Sequence, residues 1–178
     1  MNTRNLVVLS LLVGIGAVLH AVMPGFFLGM KPDMMLMMMF LGIILFPEKK
    51  NVLLLGAVTG LISGLTTTFP GGLLPNIIDK LATSFIFFGL FLALKKYRSS
   101  IISVAVLTAV GTIISGIVFL GSAYFIVGLP GPFIALFGTV VLPASAVNTI
   151  AMVILYPVAN GIMKRTKITQ QQTKTIIN

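Results

Sequence analysis

Apolar residues run along this chain in stretches long enough to cross a membrane, broken by short clusters of charge, proline and glycine. The first run, Leu6 to Val22, follows Arg4 and closes at Met23-Pro24-Gly25. The second opens at Lys31-Pro32-Asp33 and continues through a methionine-rich stretch to Phe46, where Pro47-Glu48-Lys49-Lys50-Asn51 makes a tight charged turn. The third, Val52 to Phe69, ends in three threonines and Pro70-Gly71-Gly72. Pro75 opens the fourth, because its missing N–H falls where a helix start has no partner for it. That run reaches Leu94 and stops at Lys95-Lys96-Tyr97-Arg98, and the fifth spans Ile101 to about Leu120. Gly121 to Met163 is too long for one crossing and holds Pro130, Pro132 and Pro143. Residues 121–143 therefore read as an apolar loop or interfacial segment, with Tyr124, Phe125, Phe133 and Phe137 at the membrane surface or over a pocket. Ala144 to Met163 is the sixth helix, with Pro157 as a candidate kink.

A hydrocarbon core of about 30 Å needs about 20 residues per helix. The pattern thus predicts an all-α integral membrane bundle of six transmembrane helices, over residues 5–22, 32–46, 52–69, 75–94, 101–120 and 144–163. They form a single domain, 1–167, followed by a disordered, glutamine-rich tail, 168–178. The first run is a membrane helix rather than a cleaved signal, since the next apolar run follows almost at once.

Composition sharpens this picture. Of 178 residues, 57% are hydrophobic and 8% charged, against about 25% charged in a soluble domain. Little chain is left for a soluble domain, so function resides within the bilayer. The absence of cysteine removes thiol catalysis and thiolate metal sites, and one histidine makes a histidine-rich metal site impossible. The net charge of +9 is explained by topology rather than by nucleic acid. Apart from Lys31 and Lys80, all twelve basic residues fall at the N-terminus, the second and fourth connections and the tail. With six helices those segments share one side, which the positive-inside rule makes cytoplasmic, so both termini are inside.

The remaining polar residues collect at the outer helix ends: His20, Lys31, Asp33, Thr66 to Thr68, Asn76, Asp79, Lys80 and Asn148. Charges at membrane depth are rare and mark ligand or ion sites. Both signs occur here, which suits a zwitterion: a carboxylate anchors an ammonium, a lysine anchors a carboxylate, and methionine and phenylalanine hold an apolar side chain. The competing reading pairs Asp33 with Lys80, or Asp79 with Lys31, as mutual neutralisation or snorkelling. Asp33 also has a structural role beside Pro32 at a helix start, where the dipole favours a carboxylate. Asp79 and Lys80 are adjacent and point roughly 100° apart on a helix, which argues against both gripping one ligand group; Asp79 is the better contact and Lys80 the candidate for snorkelling. The threonines either meet a ligand or bond back to their own helix. Most of the methionines are expected in the core.

Two faces carry small residues. Gly56, Gly60 and Gly64, spaced by four, form a close-packing face. Ser10, Gly14, Ala17 and Ala21 form another on the first helix, suited to packing within the chain or to docking onto a second membrane subunit. Catalytic signatures are missing. There is no GxxxxGK[ST] phosphate loop, and no serine–histidine pair, paired aspartate site or HExxH motif for intramembrane proteolysis.

Gly29-Met30-Lys31-Pro32-Asp33-Met34-Met35, Thr66-Thr67-Thr68-Phe69-Pro70-Gly71-Gly72 and Leu74-Pro75-Asn76-Ile77-Ile78-Asp79-Lys80 resemble the tryptophan transport proteins of bacilli and relatives. These are S components, the substrate-binding membrane subunits of energy-coupling-factor (ECF) transporters, and the resemblance runs nearly end to end. It implies a non-enzymatic, multi-pass subunit in the bacterial cell membrane that captures L-tryptophan from outside. It also implies partners: a transmembrane coupling subunit and two cytoplasmic ATPases that use the ATP, with no cofactor bound by this chain. The family's Ala-x-x-x-Ala docking motif appears here as Ala17-x-x-x-Ala21, nearer the outer end than expected, with Ser10-x-x-x-Gly14 closer by depth; this turns the first helix's small face toward a partner. The expected substrate contacts are His20, Lys31, Asp33, Met34, Met38, Thr68, Phe69, Asn76, Asp79, Lys80, Phe85 and Asn148. The indole is expected against Met34, Met38, Phe69 or Phe85, the ammonium at Asp79 and the carboxylate at Lys31 or Lys80. The alternatives are a stand-alone secondary transporter of an aromatic amino acid or indole compound, against which the lack of an internal repeat counts, and a membrane-embedded enzyme or structural subunit.

Overall fold

A helix that is apolar on every side is buried on every side, and the methionine-rich run becomes such a helix. The computed structural model describes residues 3–22, 33–94 and 100–165. It folds them into α1 (Thr3–Val22), α2 (Met34–Leu45), α3 (Lys49–Leu65), α4 (Leu73–Ala93), α5 (Ile101–Ile126) and α6 (Phe133–Arg165). Every residue of α2 from Met34 to Ile44 is buried, and the other five helices all pack against it. Its 12 residues give about 18 Å at 1.5 Å per residue, well short of the bilayer core. The second run is therefore the centre of the bundle, surrounded by α1, α4, α5 and α6, each long and apolar enough to cross a membrane.

Close approach fixes the neighbours. Phe40 of α2 stacks on Phe87 of α4 with ring centroids 3.9 Å apart, and both rings abut Gly111 of α5, where an added Cβ would lie 2.8 Å from each. The glycines of α3 behave as the spacing predicts. A Cβ at Gly60 would lie 3.0 Å from the Ile77 Cα, and one at Gly64 would lie 2.8 Å from the Leu73 carbonyl oxygen. Without side chains there, α3 and α4 touch backbone to backbone, and α4's first two turns are held in one position.

The helix bounds depart from the pattern in several places. α4 opens at Leu73, so Pro75 is its third residue rather than its first. α3 starts at Lys49, so the charged turn shrinks to Pro47 and Glu48, and it ends at Leu65, releasing Thr66–Phe69 into the loop. Asp33 is itself the cap of α2, with its Oδ1 accepting from the Leu36 N–H at 2.9 Å; Pro32 lies outside the described residues. The largest correction concerns 121–143, expected as a loop. α5 continues to Ile126 and α6 begins at Phe133, leaving only 127–132 as the connection. Pro130 and Pro132 do mark that break, while Pro143 lies inside α6. Immediately before it, Phe137–Val141 forms a π-helical turn, in which the Leu142 N–H donates to the Phe137 carbonyl. The widened turn accommodates a proline that would otherwise clash with the carbonyl four residues back. Pro157 also sits within the helix. Tyr124, Phe125 and Phe133 are exposed on these helices, and neither they nor Phe137 are among the residues lining the cavity at this end of the bundle.

Candidate functional site

Where α1, α3 and α5 finish and α2, α4 and α6 begin, the bundle forms a half-open cavity of about 310 Å³. The described basic residues other than Lys80, namely Arg4, Lys49, Lys50, Lys164 and Arg165, stand at the opposite end, at the starts of α1 and α3 and the end of α6. Lys31, Lys95, Lys96 and Arg98, and the tail from 166 onward, lie outside the described residues.

One wall is charged. Lys80 is 2% exposed, and its Nζ lies 2.8 Å from Oδ2 of Asp33 and 2.6 Å from Oδ2 of Asp79. Asp79 also accepts from Thr83 at 2.8 Å through Oδ1 and from Ser115 of α5 at 2.8 Å through Oδ2. The expectation that Lys80 snorkels is thus overturned. The 100° between adjacent side chains sets only their first bonds, and the four-carbon lysine stem is long enough to fold back onto Asp79. One ammonium ties the start of α2 to α4, and Ser115 joins α5 to the same cluster. Two carboxylates share one lysine in this wall.

The rest of the lining is apolar or neutral. Phe69 meets Phe119 edge to face at 5.4 Å, and Leu36, Leu120, Leu136, Val140 and Val141 extend that surface. Asn76 donates through Nδ2 to the Gly72 carbonyl at 2.8 Å, and Thr66 bonds back to the Ile62 carbonyl at 2.7 Å. Thr67 Oγ1 accepts from the Phe69 N–H at 3.1 Å, an arrangement that shapes the loop over the cavity, with Gly71 at φ +69°. Asn148 of α6 lies 3.5 Å from Thr112 Oγ1 through its Nδ2, and its Oδ1 has no partner. Ser63 of α3 also lines the cavity with its hydroxyl unpartnered.

Of the expected contacts, His20, Asp33, Thr68, Phe69, Asn76, Asp79, Lys80 and Asn148 are brought together at this cavity. Met34, Met38 and Phe85 are not. The two methionines face the interior of the bundle, Met38 against Gly16 of α1. Phe85 is 44% exposed on the outside of α4, whereas Phe87, Phe88 and Phe91 are buried. The sequence reading passed over Ser63, Thr112, Ser115 and Phe119. A signal for three of them exists, since Thr108, Thr112, Ser115 and Phe119 recur at spacings of four, three and four, one face of a helix.

Fold and cavity together define a multi-pass integral membrane protein with a chamber at one end, whose volume falls at the lower end of the roughly 300–1,000 Å³ of small-molecule sites. Comparison with known proteins narrows the class. The family described as "Tryptophan transporter TrpP" matches residues 2–164, and the chain belongs to that family. A Bacillus subtilis (strain 168) protein named "Probable tryptophan transport protein" is 58% identical over 165 residues, covering 93% of this chain and 95% of the relative. Proteins of the same name from Clostridium acetobutylicum and Clostridium perfringens are 46% identical over 159 residues and 40% over 175. The first covers 88% of this chain and 91% of the relative, and the second 92% and 95%. No solved structure matches the chain.

Proposed function

We propose that this chain is the tryptophan-binding membrane subunit of an ATP-driven importer, and that the cavity holds the substrate. The observation that carries the reading is the pairing of a charged wall, Asp33–Lys80–Asp79, with an aromatic wall, Phe69 and Phe119, in one cavity. An ammonium is attracted to the first and an indole packs on the second. Family membership and the names of the relatives support tryptophan, and transport rather than catalysis.

Asp33 and Asp79 take the ammonium; the ligand carboxylate falls to Lys31, Lys80 and the hydroxyls of the Thr66–Thr68 loop. His20 and Asn76 complete the rim. The basic end of the bundle is cytoplasmic by the positive-inside rule, so both termini are inside and the cavity faces outward. The chain binds no nucleotide itself; ATP is used by two cytoplasmic ATPases acting through a transmembrane coupling subunit. Ser10, Gly14 and Ala21 of α1 are exposed and Ala17 half-buried, and beyond its own turn of helix nothing among the described residues comes within 4 Å of a Cβ added at Gly14. This open small-residue face suits close approach of a partner helix.

Uptake of labelled tryptophan into cells expressing the chain, with and without the coupling ATPases, tests the proposal. Uptake that disappears without them supports it. Undiminished uptake means a stand-alone carrier and overturns the subunit reading.

A further inference from the structure

The amide of Asn148 is 0% exposed and lines the cavity, and its two ends are treated differently by the chain. The Nδ2 end points to Thr112 Oγ1 at 3.5 Å, while the Oδ1 end has no partner among the described residues. A buried carbonyl oxygen left without a donor costs free energy comparable to a lost hydrogen bond. Such a group persists where something outside the chain satisfies it. The missing group is a donor, because an amide oxygen can only accept.

The surroundings describe what carries that donor. Ala144, one turn earlier on α6, with Val141, Gly116 and Leu120, makes an apolar lining around this part of the cavity. A charged or heavily hydrated donor would be desolvated there without return, whereas a flat apolar ring bearing one N–H would not. The charged wall is close by. Thr112 and Ser115 are three residues apart on one face of α5; Thr112 meets Asn148 and Ser115 holds Asp79, so the amide and the carboxylate border the same face of that helix about one turn apart.

We infer that Asn148 is the specificity residue of the site, its Oδ1 accepting the hydrogen bond from the indole N–H of the substrate. This rests on the tryptophan reading above and adds how tryptophan is told from ligands of the same shape. Selectivity of this kind comes from the group left unpaired when the wrong ligand binds.

The test is calorimetric titration of the purified full-length chain in lipid nanodiscs with L-tryptophan and with β-(3-benzothienyl)-L-alanine, in which sulfur replaces the N–H and the shape is kept. The wild type is expected to bind tryptophan at least about tenfold more tightly. Asn148→Leu should bring the ratio near one by weakening tryptophan, and Asn148→Asp, which keeps an acceptor oxygen in place, should retain the preference. A wild-type ratio near one overturns the inference while leaving the substrate reading intact, and needs no variant to fold. A tenfold preference that survives in Asn148→Leu overturns it as well. If the wild type binds neither compound, the substrate reading itself fails and takes the inference with it.

Discussion

Asp79 and Asn148 are both buried polar side chains on the cavity wall, and they differ in how much of their bonding capacity the chain itself uses. Asp79 receives Lys80, Thr83 and Ser115. Asn148 has one long contact and a bare oxygen. The same division separates Ser115, which donates to Asp79, from Ser63, whose hydroxyl has no partner. Groups already satisfied by the chain hold helices together and set the charge of the wall. Ser63 and Asn148, left unsatisfied on the cavity wall among the described residues, are the groups offered to a ligand. A buried polar residue near a pocket is therefore assigned a role by what remains of its valence, and its mere presence decides little.

The largest effect should come from the satisfied side. Lys80→Met leaves Asp33 and Asp79 buried without their cation, which costs about 3–5 kcal/mol; thermal unfolding of the solubilised protein should show a large loss of stability or no folded protein. Next come two identical substitutions with opposite outcomes. Ser115→Ala removes a hydrogen bond to a charged group and should cost about 1.5–3 kcal/mol, whereas Ser63→Ala removes a hydroxyl the chain never satisfied and should leave stability unchanged or raised while weakening ligand binding. Equal losses at the two serines would break the distinction. Gly64→Ala forces a methyl into the Leu73 backbone and should cost about 1–3 kcal/mol, detectable in the same melts. The smallest effect belongs to Gly89→Ala, where nothing lies within 4 Å of the new Cβ; it should be neutral or slightly stabilising, as glycine-to-alanine changes inside helices are.

Much of the fold could be read from the chain because hydropathy and small-residue spacing are local signals. Six helices, the Gly56-Gly60-Gly64 face and the gathering of polar residues at one bundle end all follow from them. Residues 121–143 could not be read that way, because the π turn that lets Pro143 stay within a helix is not written in the prolines. For Lys80 the sequence offers both snorkelling and pairing with Asp33; the 2.8 Å contact bears out the pairing, while its depth of burial depends on α2 and α4 packing together. Phe85 and Met38 show the limit of residue type as a guide, since one faces outward and the other packs on Gly16. Ser63 and Ser115 are the same residue type on apolar helices, and only the packing of α3, α4 and α5 tells them apart.

The chain contains no tryptophan, so the indole fluorescence of an added ligand can be followed against the weak background of three tyrosines. Titrating the purified chain, free of any partner subunit, into L-tryptophan should give a saturable blue shift as the indole leaves water for the Phe69–Phe119 wall, reversed by excess unlabelled substrate analogue and not by leucine. No shift at any protein concentration would contradict a tryptophan site in this cavity.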